Sequence, residues 1–174
     1  MKHRYLALAL AAFALAGCPE AQVDHQARGA ELLAPFKMKL KGALLQGMES
    51  GPAEAIGACR AEAPQIAASL STDGVRMGRS SHKLRNPQNA PPDWLVPILE
   101  AYASTAAEHV PQLADLGDGR SGYAEPIIVQ PLCLTCHGET LHPDVAGRIA
   151  ELYPEDEATG FAEGDFRGVF WVEY

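Results

Sequence analysis

A chain of 174 residues with 14 Lys and Arg against 22 Asp and Glu carries a formal charge of −8 at pH 7. That balance argues against nucleic acid or an anionic bilayer surface as a partner and favours basic proteins instead. The length is that of one domain with its own core.

The chain opens with Lys2, His3 and Arg4 and then an apolar run from Leu6 to Ala16, too short to span a bilayer and of the form of a signal peptide. The run ends in Leu15-Ala16-Gly17-Cys18, which resembles the lipobox of bacterial lipoproteins. Cleavage there makes residues 1–17 a lipoprotein signal and Cys18 the acylated mature N-terminus; it also removes Lys2 and Arg4, so the mature chain is more acidic still. An ordinary secretory cleavage, with Cys18 a stray thiol, is the alternative. Acyl chains hold a protein at a membrane because each buried methylene contributes about 0.8 kcal/mol. The expected location is periplasmic, in the cell envelope, anchored to a membrane without spanning it.

Residues 18–30 read as a lipidated N-terminus and tether, polar from Pro19 to Arg28, ahead of a single domain over 31–174. From Glu31 to Gln46, Leu33, Phe36, Leu40 and Leu44 recur at helical spacing with Lys37, Lys39 and Lys41 between them, which predicts an amphipathic helix. Gly47 to Gly51 breaks it, and Pro52 and Glu54 begin a second helix that runs to about Ser69. Ile56, Cys59, Ala63, Ile66 and Leu70 share its apolar face, so Cys59 points inward. Pro64 is expected to kink or interrupt this helix. Ser71-Thr72-Asp73-Gly74 is a turn into a strand over 75–81.

His82 to Pro92 is basic and then loop-like, since Asn86-Pro87 and Pro91-Pro92 block regular structure. Asp93 caps a third helix that ends near Ala107. Pro111 to Gly122 forms a hairpin or loop, and Tyr123 to Gln130 a strand. A short helix over 145–152, introduced by His142-Pro143-Asp144, an acidic loop over 155–164 and a closing strand from Phe166 to Tyr174 complete the chain. Helices first, then strands mixed with helices, favour an α+β fold over an all-helical one.

The strand ending at Gln130 delivers the chain to Cys133-Leu134-Thr135-Cys136-His137. In an exported protein this pattern reads first as a covalent attachment site for one haem c. On a single helical turn, positions i, i+3 and i+4 share a face. Two thiols can then form thioethers to the haem vinyl groups while the imidazole of His137 serves as proximal iron ligand. Thiol redox chemistry, structural zinc and a plain disulfide between Cys133 and Cys136 compete. The first does not require the histidine, the second lacks a second Cys/His pair nearby, and the third leaves His137 unexplained. With Cys18 acylated and two thiols on haem, Cys59 is the odd thiol in an oxidising compartment.

The sixth position on such an iron has candidates in Cys59, His25, His82, His109, His142, Met38, Met48 and Met77. Met38 and Met48 read as core filler, His109 and His142 as surface residues, and His25 as part of the tether. Cys59 is an inward thiol whose thiolate iron would stabilise, or else an inert buried one. His82 follows a strand and is its rival. Arg76, Arg79, Lys83 and Arg85 form the densest basic cluster in an acidic chain. They are candidates for haem propionate contacts, or for a solvated basic face.

Gly57-Ala58-Cys59-Arg60, Ala63-Pro64-Gln65-Ile66-Ala67, Val75-Arg76-Met77-Gly78-Arg79-Ser80-Ser81, Lys83-Leu84-Arg85-Asn86-Pro87-Gln88-Asn89 and Pro92-Asp93-Trp94 form the first half of a pattern. Pro126-Ile127, the run from Cys133 to Gly138, Tyr153-Pro154, Ala158-Thr159-Gly160-Phe161 and Gly164-Asp165-Phe166-Arg167-Gly168 form the second. Together they resemble a family of bacterial and cyanobacterial exported haem c proteins of poorly defined function with a PAS-like fold, over about Leu32 to the end. The resemblance implies a haem packed against a PAS-like antiparallel sheet, with Cys59 as the axial ligand opposite His137. Positions 77, 78 and 82 depart from the family pattern, where a basic, a small hydroxyl and an apolar residue are usual, and this keeps His82 in competition.

The function implied is that of a lipid-anchored, mono-haem c-type cytochrome. It acts as a redox or diatomic-gas responsive module or one-electron carrier, is not an enzyme, and hands its signal or electron to a separate redox or signalling protein. Thiolate ligation donates charge to the iron and favours the ferric state, so a low potential is expected. The alternatives are a peroxide-reducing haem enzyme, for which no acid/base constellation is visible, and a haem-free zinc or thiol-redox lipoprotein using Cys59, Cys133, Cys136 and His137.

Overall fold

Helix α1, His25–Glu49, turns through Ser50 and Gly51 into α2, Pro52–Leu70, and the two pack side by side. The structure, a computed structural model, describes residues 24–104 and 109–174. Cys18 with its lipobox, most of the tether and the expected end of the third helix near Ala107 lie outside the described residues. The carboxylate of Asp24 caps α1 by accepting from the Ala27 amide at 3.0 Å. Pro52 opens α2, where its missing N–H is not needed.

α1 begins at His25 rather than near Glu31, so residues 25–30 belong to the fold and not to the tether. The reason is tertiary contact. Gly29 is buried against Tyr123, whose ring a Cβ there would overlap. The Arg28 guanidinium lies 5.5 Å from the centroid of the Tyr174 ring, and His25 Nδ1 is 3.0 Å from Ser121 Oγ. Pro64 does not interrupt α2, which runs unbroken to Leu70. A proline removes one helical hydrogen bond, and the buried Ala55, Ile56 and Ala63 hold the turns before it while the partly buried Ile66, Ala67 and Leu70 hold those after it.

Four antiparallel strands, β1 (Arg76–Ser80), β2 (Gln112–Gly117), β3 (Arg120–Ile128) and β4 (Phe166–Glu173), form one sheet in the order β1-β4-β3-β2. The segment over 111–122 thus resolves as the arm and turn of a hairpin, with Asp118 and Gly119 both at positive φ. β4, last in the chain, is interior to the sheet. Alternation along it sends Phe170, Val172 and Tyr174 to one face and Val169 and Trp171 to the other. The first face packs on α1 and α2 through Leu33, Phe36, Leu40, Ala63, Met77 and Tyr123. The second packs on α3, Val96–Ser104, through Leu95, Leu99 and Tyr102. The fold is α+β, with its two long helices, α1 and α2, at the N-terminal end of the described residues. Among the described residues, no helix is long and apolar enough to cross a membrane.

Positions 77 and 78 are both fitted to their surroundings. Met77 is buried in the first core, and Gly78 lies beneath Trp171, where a Cβ would come within 2.8 Å of the indole ring. The large ring and the missing side chain are a matched pair.

Beyond β3, a 3-10 turn over Pro131–Cys133 runs into helix α4, Leu134–His137, and α5, Pro143–Leu152, follows. Arg85, between β1 and α3, ties this region together. Its Nε donates to Asp156 Oδ1 at 3.0 Å, and its terminal nitrogen to Asp156 Oδ2 at 3.2 Å and to the carbonyls of Cys136 and Ala158 at 2.6 and 3.2 Å. Gly168, at φ +149°, lets β4 pass close to β1, because a Cβ there would overlap the Ser80 carbonyl oxygen.

Two substitutions test this framework by urea denaturation followed by far-UV circular dichroism. Gly168→Ala drives a methyl into backbone and is expected to destabilise the fold by about 2–4 kcal/mol. Arg85→Met keeps the stem but strips the partner from Asp156, whose side chain is 7% exposed, and is expected to cost about 2–4 kcal/mol. An unchanged midpoint in Arg85→Met contradicts the clamp.

Candidate functional site

A cavity of about 290 Å³ opens between the α1–α2 hairpin, β1 and the turn that carries Cys133, Cys136 and His137. Leu40, Leu44, Ile56, Ile127 and Phe170 give it apolar walls, and Cys59 lines it from α2. No Asp or Glu is among the described residues that line it, while Lys37, Lys41, Arg79, Arg85 and Arg167 are. In a chain of charge −8, that segregation of cations marks a place suited to an anionic or electron-rich guest.

The turn itself is set by short-range geometry and then strapped down. Gly138 donates its amide to the Leu134 carbonyl at 3.0 Å, and a Cβ at Gly138 would come within 2.7 Å of that oxygen. The amides of Phe161 and Gly160 donate to the carbonyls of His137 and Gly138 at 3.0 and 3.1 Å. His137 Nδ1 lies 2.6 Å from the carbonyl oxygen of Ala158. A carbonyl only accepts, so Nδ1 carries the proton and Nε2 keeps its lone pair. Burial, and after it the charges of Arg167 and Arg85, push the His137 imidazole down to about 3. The ring is therefore neutral near pH 7, the form that binds a metal.

Ala158 is fully buried, and its own amide donates to Asp156 Oδ1 at 3.0 Å. The Arg85–Asp156 pair thus fixes the carbonyl that orients the imidazole.

Burial raises the Cys59 thiol above its ordinary range, and the neighbouring Arg79 pulls in the opposite direction. Burial likewise raises the Cys136 thiol, opposed by Arg85. Cys59, Cys133 and Cys136 are all free thiols in this structure. Among the described residues, no group of three or more His, Cys, Asp or Glu side chains is arranged to hold a metal ion. A zinc site over Cys59, Cys133, Cys136 and His137 therefore has no geometry to support it.

The cavity brings together Cys59, Cys133, Cys136, His137, Arg79 and Arg85, all legible in the sequence. It does not include His82, which is exposed and stacks on Phe166 at 5.5 Å between centroids. His109 stacks on the same ring at 5.1 Å, His25 rests on Ser121, and His142 caps α5. Met77 is core, whereas Met38 is 70% exposed and not core filler. Met48 lines the cavity.

The basic cluster divides because strand side chains alternate. Arg79 faces the cavity, while Arg76 stands outside it and pairs with Glu173 at 3.4 Å. Lys83 also lies outside, 5.0 Å from the centroid of Phe161. The residue that sequence reasoning gave no role is Arg167. It donates to Ser81 Oγ at 2.9 Å, and its buried Nε has no partner among the described residues. Burial first, then Arg79 and Arg85, lower it to about 10. Its only signal in the sequence was membership of the Gly164 to Gly168 run.

Comparison with known proteins is consistent with this architecture. No curated protein matches the chain. The crystal structure of the cyanobacterial heme-protein Tll0287 is similar, with a TM-score of 0.60 and 26% sequence identity, over 80% of this chain and 89% of that one. The Tll0287-like family matches residues 20–174. With that match running from ahead of α1 to the final residue, over the same helices, sheet and cysteine turn, the chain belongs to the Tll0287-like family.

Proposed function

We propose that this chain binds one haem in the 290 Å³ cavity, attached covalently through Cys133 and Cys136, with His137 and Cys59 as the axial ligands of its iron. The observation that carries the reading is the neutral His137, held through Nδ1 by Ala158 in a cavity also lined by three free thiols. The donor set fits the group. The apolar walls suit the faces of a macrocycle, and Arg79, Arg85 and Arg167 suit its two carboxylates. Arg79 beside Cys59 favours the thiolate that iron requires. The similarity to a protein described as a heme-protein supports the same reading.

Bound there, the haem supplies reversible one-electron chemistry. The chain's residues orient the proximal imidazole, shield the faces from water and balance the charge of the carboxylates. Thiolate ligation favours the ferric state and a low potential, which suits a redox or diatomic-gas responsive module, or a low-potential one-electron carrier, better than an enzyme. The lipobox-like Leu15 to Cys18 supports acylation at Cys18 and residence in the periplasmic cell envelope. The acidic surface suits a basic redox or signalling protein as partner and disfavours nucleic acid.

Absorption and EPR spectra of protein matured in the cell envelope test the ligand assignment, with Cys59→Ala, Met48→Leu and His82→Ala compared. Cys59→Ala is expected to lose the low-spin thiolate signature, and the other two to keep it. An unaltered spectrum in Cys59→Ala, or its loss in Met48→Leu or His82→Ala, rejects Cys59 as the ligand.

A further inference from the structure

The wall of the cavity that faces the cysteine turn carries two sulfur donors, Cys59 of α2 and Met48 of α1. Only Cys59 has a role in the reading above. The two approach from neighbouring places in the α1–α2 hairpin, because the helices come into backbone contact just beside them. A Cβ at Gly47 would lie 2.8 Å from Ala55 Cα and 3.2 Å from Ala58 Cβ. The next residue along each helix from Gly47 and Ala58, Met48 and Cys59, lines the cavity.

Three features single out Met48. First, it has few rivals as a neutral donor. Among the described residues His137 is the one histidine that lines the cavity, Met77 is buried in the first core, and Met38 is 70% exposed. Lys37, on the same wall, is held by Glu125 at 2.6 Å. Second, Met48 is partly buried and stands in the last turn of α1. Its unbranched side chain has three rotatable bonds, so the sulfur can move while the backbone stays in place. Third, its chemistry complements that of Cys59. An anionic thiolate favours ferric iron, whereas a neutral thioether opposite histidine raises the potential and so favours the ferrous state.

We propose that Met48 is the axial ligand of the reduced iron and exchanges with Cys59, the ligand of the oxidised one. The inference rests on the haem reading above. On reduction by an external one-electron donor, Cys59 Sγ breaks its bond to iron and takes a proton from water, while Met48 Sδ forms a bond in its place. On oxidation the electron passes to an external acceptor, the Met48 bond breaks, and Cys59 returns its proton to water as its sulfur rebinds. The two sulfurs sit on different helices of one hairpin, so the redox state decides which helix is tied to the bound group. Glu49 and Ser50, exposed at the turn between those helices, put that difference where a protein partner can read it.

Haem-loaded protein carrying methionine labelled with carbon-13 at its methyl group tests the exchange, as wild type and as Met48→Leu. Oxidised samples are followed by EPR, and dithionite-reduced samples by proton–carbon NMR, in which the ring current of a low-spin ferrous haem moves the methyl group of an axial methionine far upfield. The oxidised forms of both proteins are expected to show the same thiolate signature. The reduced wild type is expected to show one methionine methyl shifted far upfield, and reduced Met48→Leu to lose it. The midpoint potential is expected to fall in Met48→Leu, because the ligand that favours the ferrous state is gone. A reduced wild type with no shifted methyl, a shifted methyl that persists in Met48→Leu, or an unchanged midpoint potential overturns the exchange. A thiolate signature in the oxidised protein together with any of these results leaves the haem reading intact and removes this inference alone, whereas protein without haem overturns both.

Discussion

The hydrogen bond between His137 Nδ1 and the Ala158 carbonyl oxygen is the contact on which the rest of the site depends. An imidazole at the end of a four-residue helix has little to hold it locally. The carbonyl that orients it comes from a residue 21 positions later in the chain. That carbonyl is held by Arg85, which also grips the Cys136 carbonyl and Asp156. One guanidinium therefore joins the loop after β1, the cysteine turn and the strap over 153–161. The neutrality of His137 follows from the same enclosure, because burial disfavours the charged ring and, after it, the charges of Arg167 and Arg85 add to the penalty.

An acidic protein that gathers cations around an apolar cavity is arranged for a guest that is apolar in its body and negative at its edge. Arg79 and Arg167 reach the cavity because β1 and β4 pair directly, with Arg79 opposite Phe170 and Ser80 opposite Val169. Gly168 is what permits so close an approach of the two strands. Conformational freedom at one glycine thus links sheet topology to the electrostatics of the site. Cys59 arrives from the other layer, on a helix whose alternative partners are the core residues Ile56 and Ala63.

Much of this was legible before the fold was known, and what was not has physical causes. The stripe of Leu33, Phe36 and Leu40 on α1 is buried as helical spacing requires, and the same spacing placed Cys59 inward. Met38 lies off that stripe, so its exposure could have been read from the same periodicity. The start of α1 could not, because residues 25–30 are helical through contacts with Tyr123, Ser121 and Tyr174, nearly a hundred or more positions away. Pro64 is a local signal that long-range packing overrode. Arg167 was invisible as a site residue for the same kind of reason, since only the pairing of β4 with β1 brings it beside Ser81 and Arg79.

The central assignment is that the thiols of Cys133 and Cys136 carry a porphyrin while His137 holds its metal. The most direct measurement is acidified-acetone extraction of protein matured in the cell envelope, followed by proteolysis and mass mapping of the coloured fragment. The expected result is a porphyrin that resists extraction and remains on the peptide containing both Cys133 and Cys136. Complete transfer of colour to the solvent, or recovery of that peptide with both cysteines unmodified, contradicts the assignment.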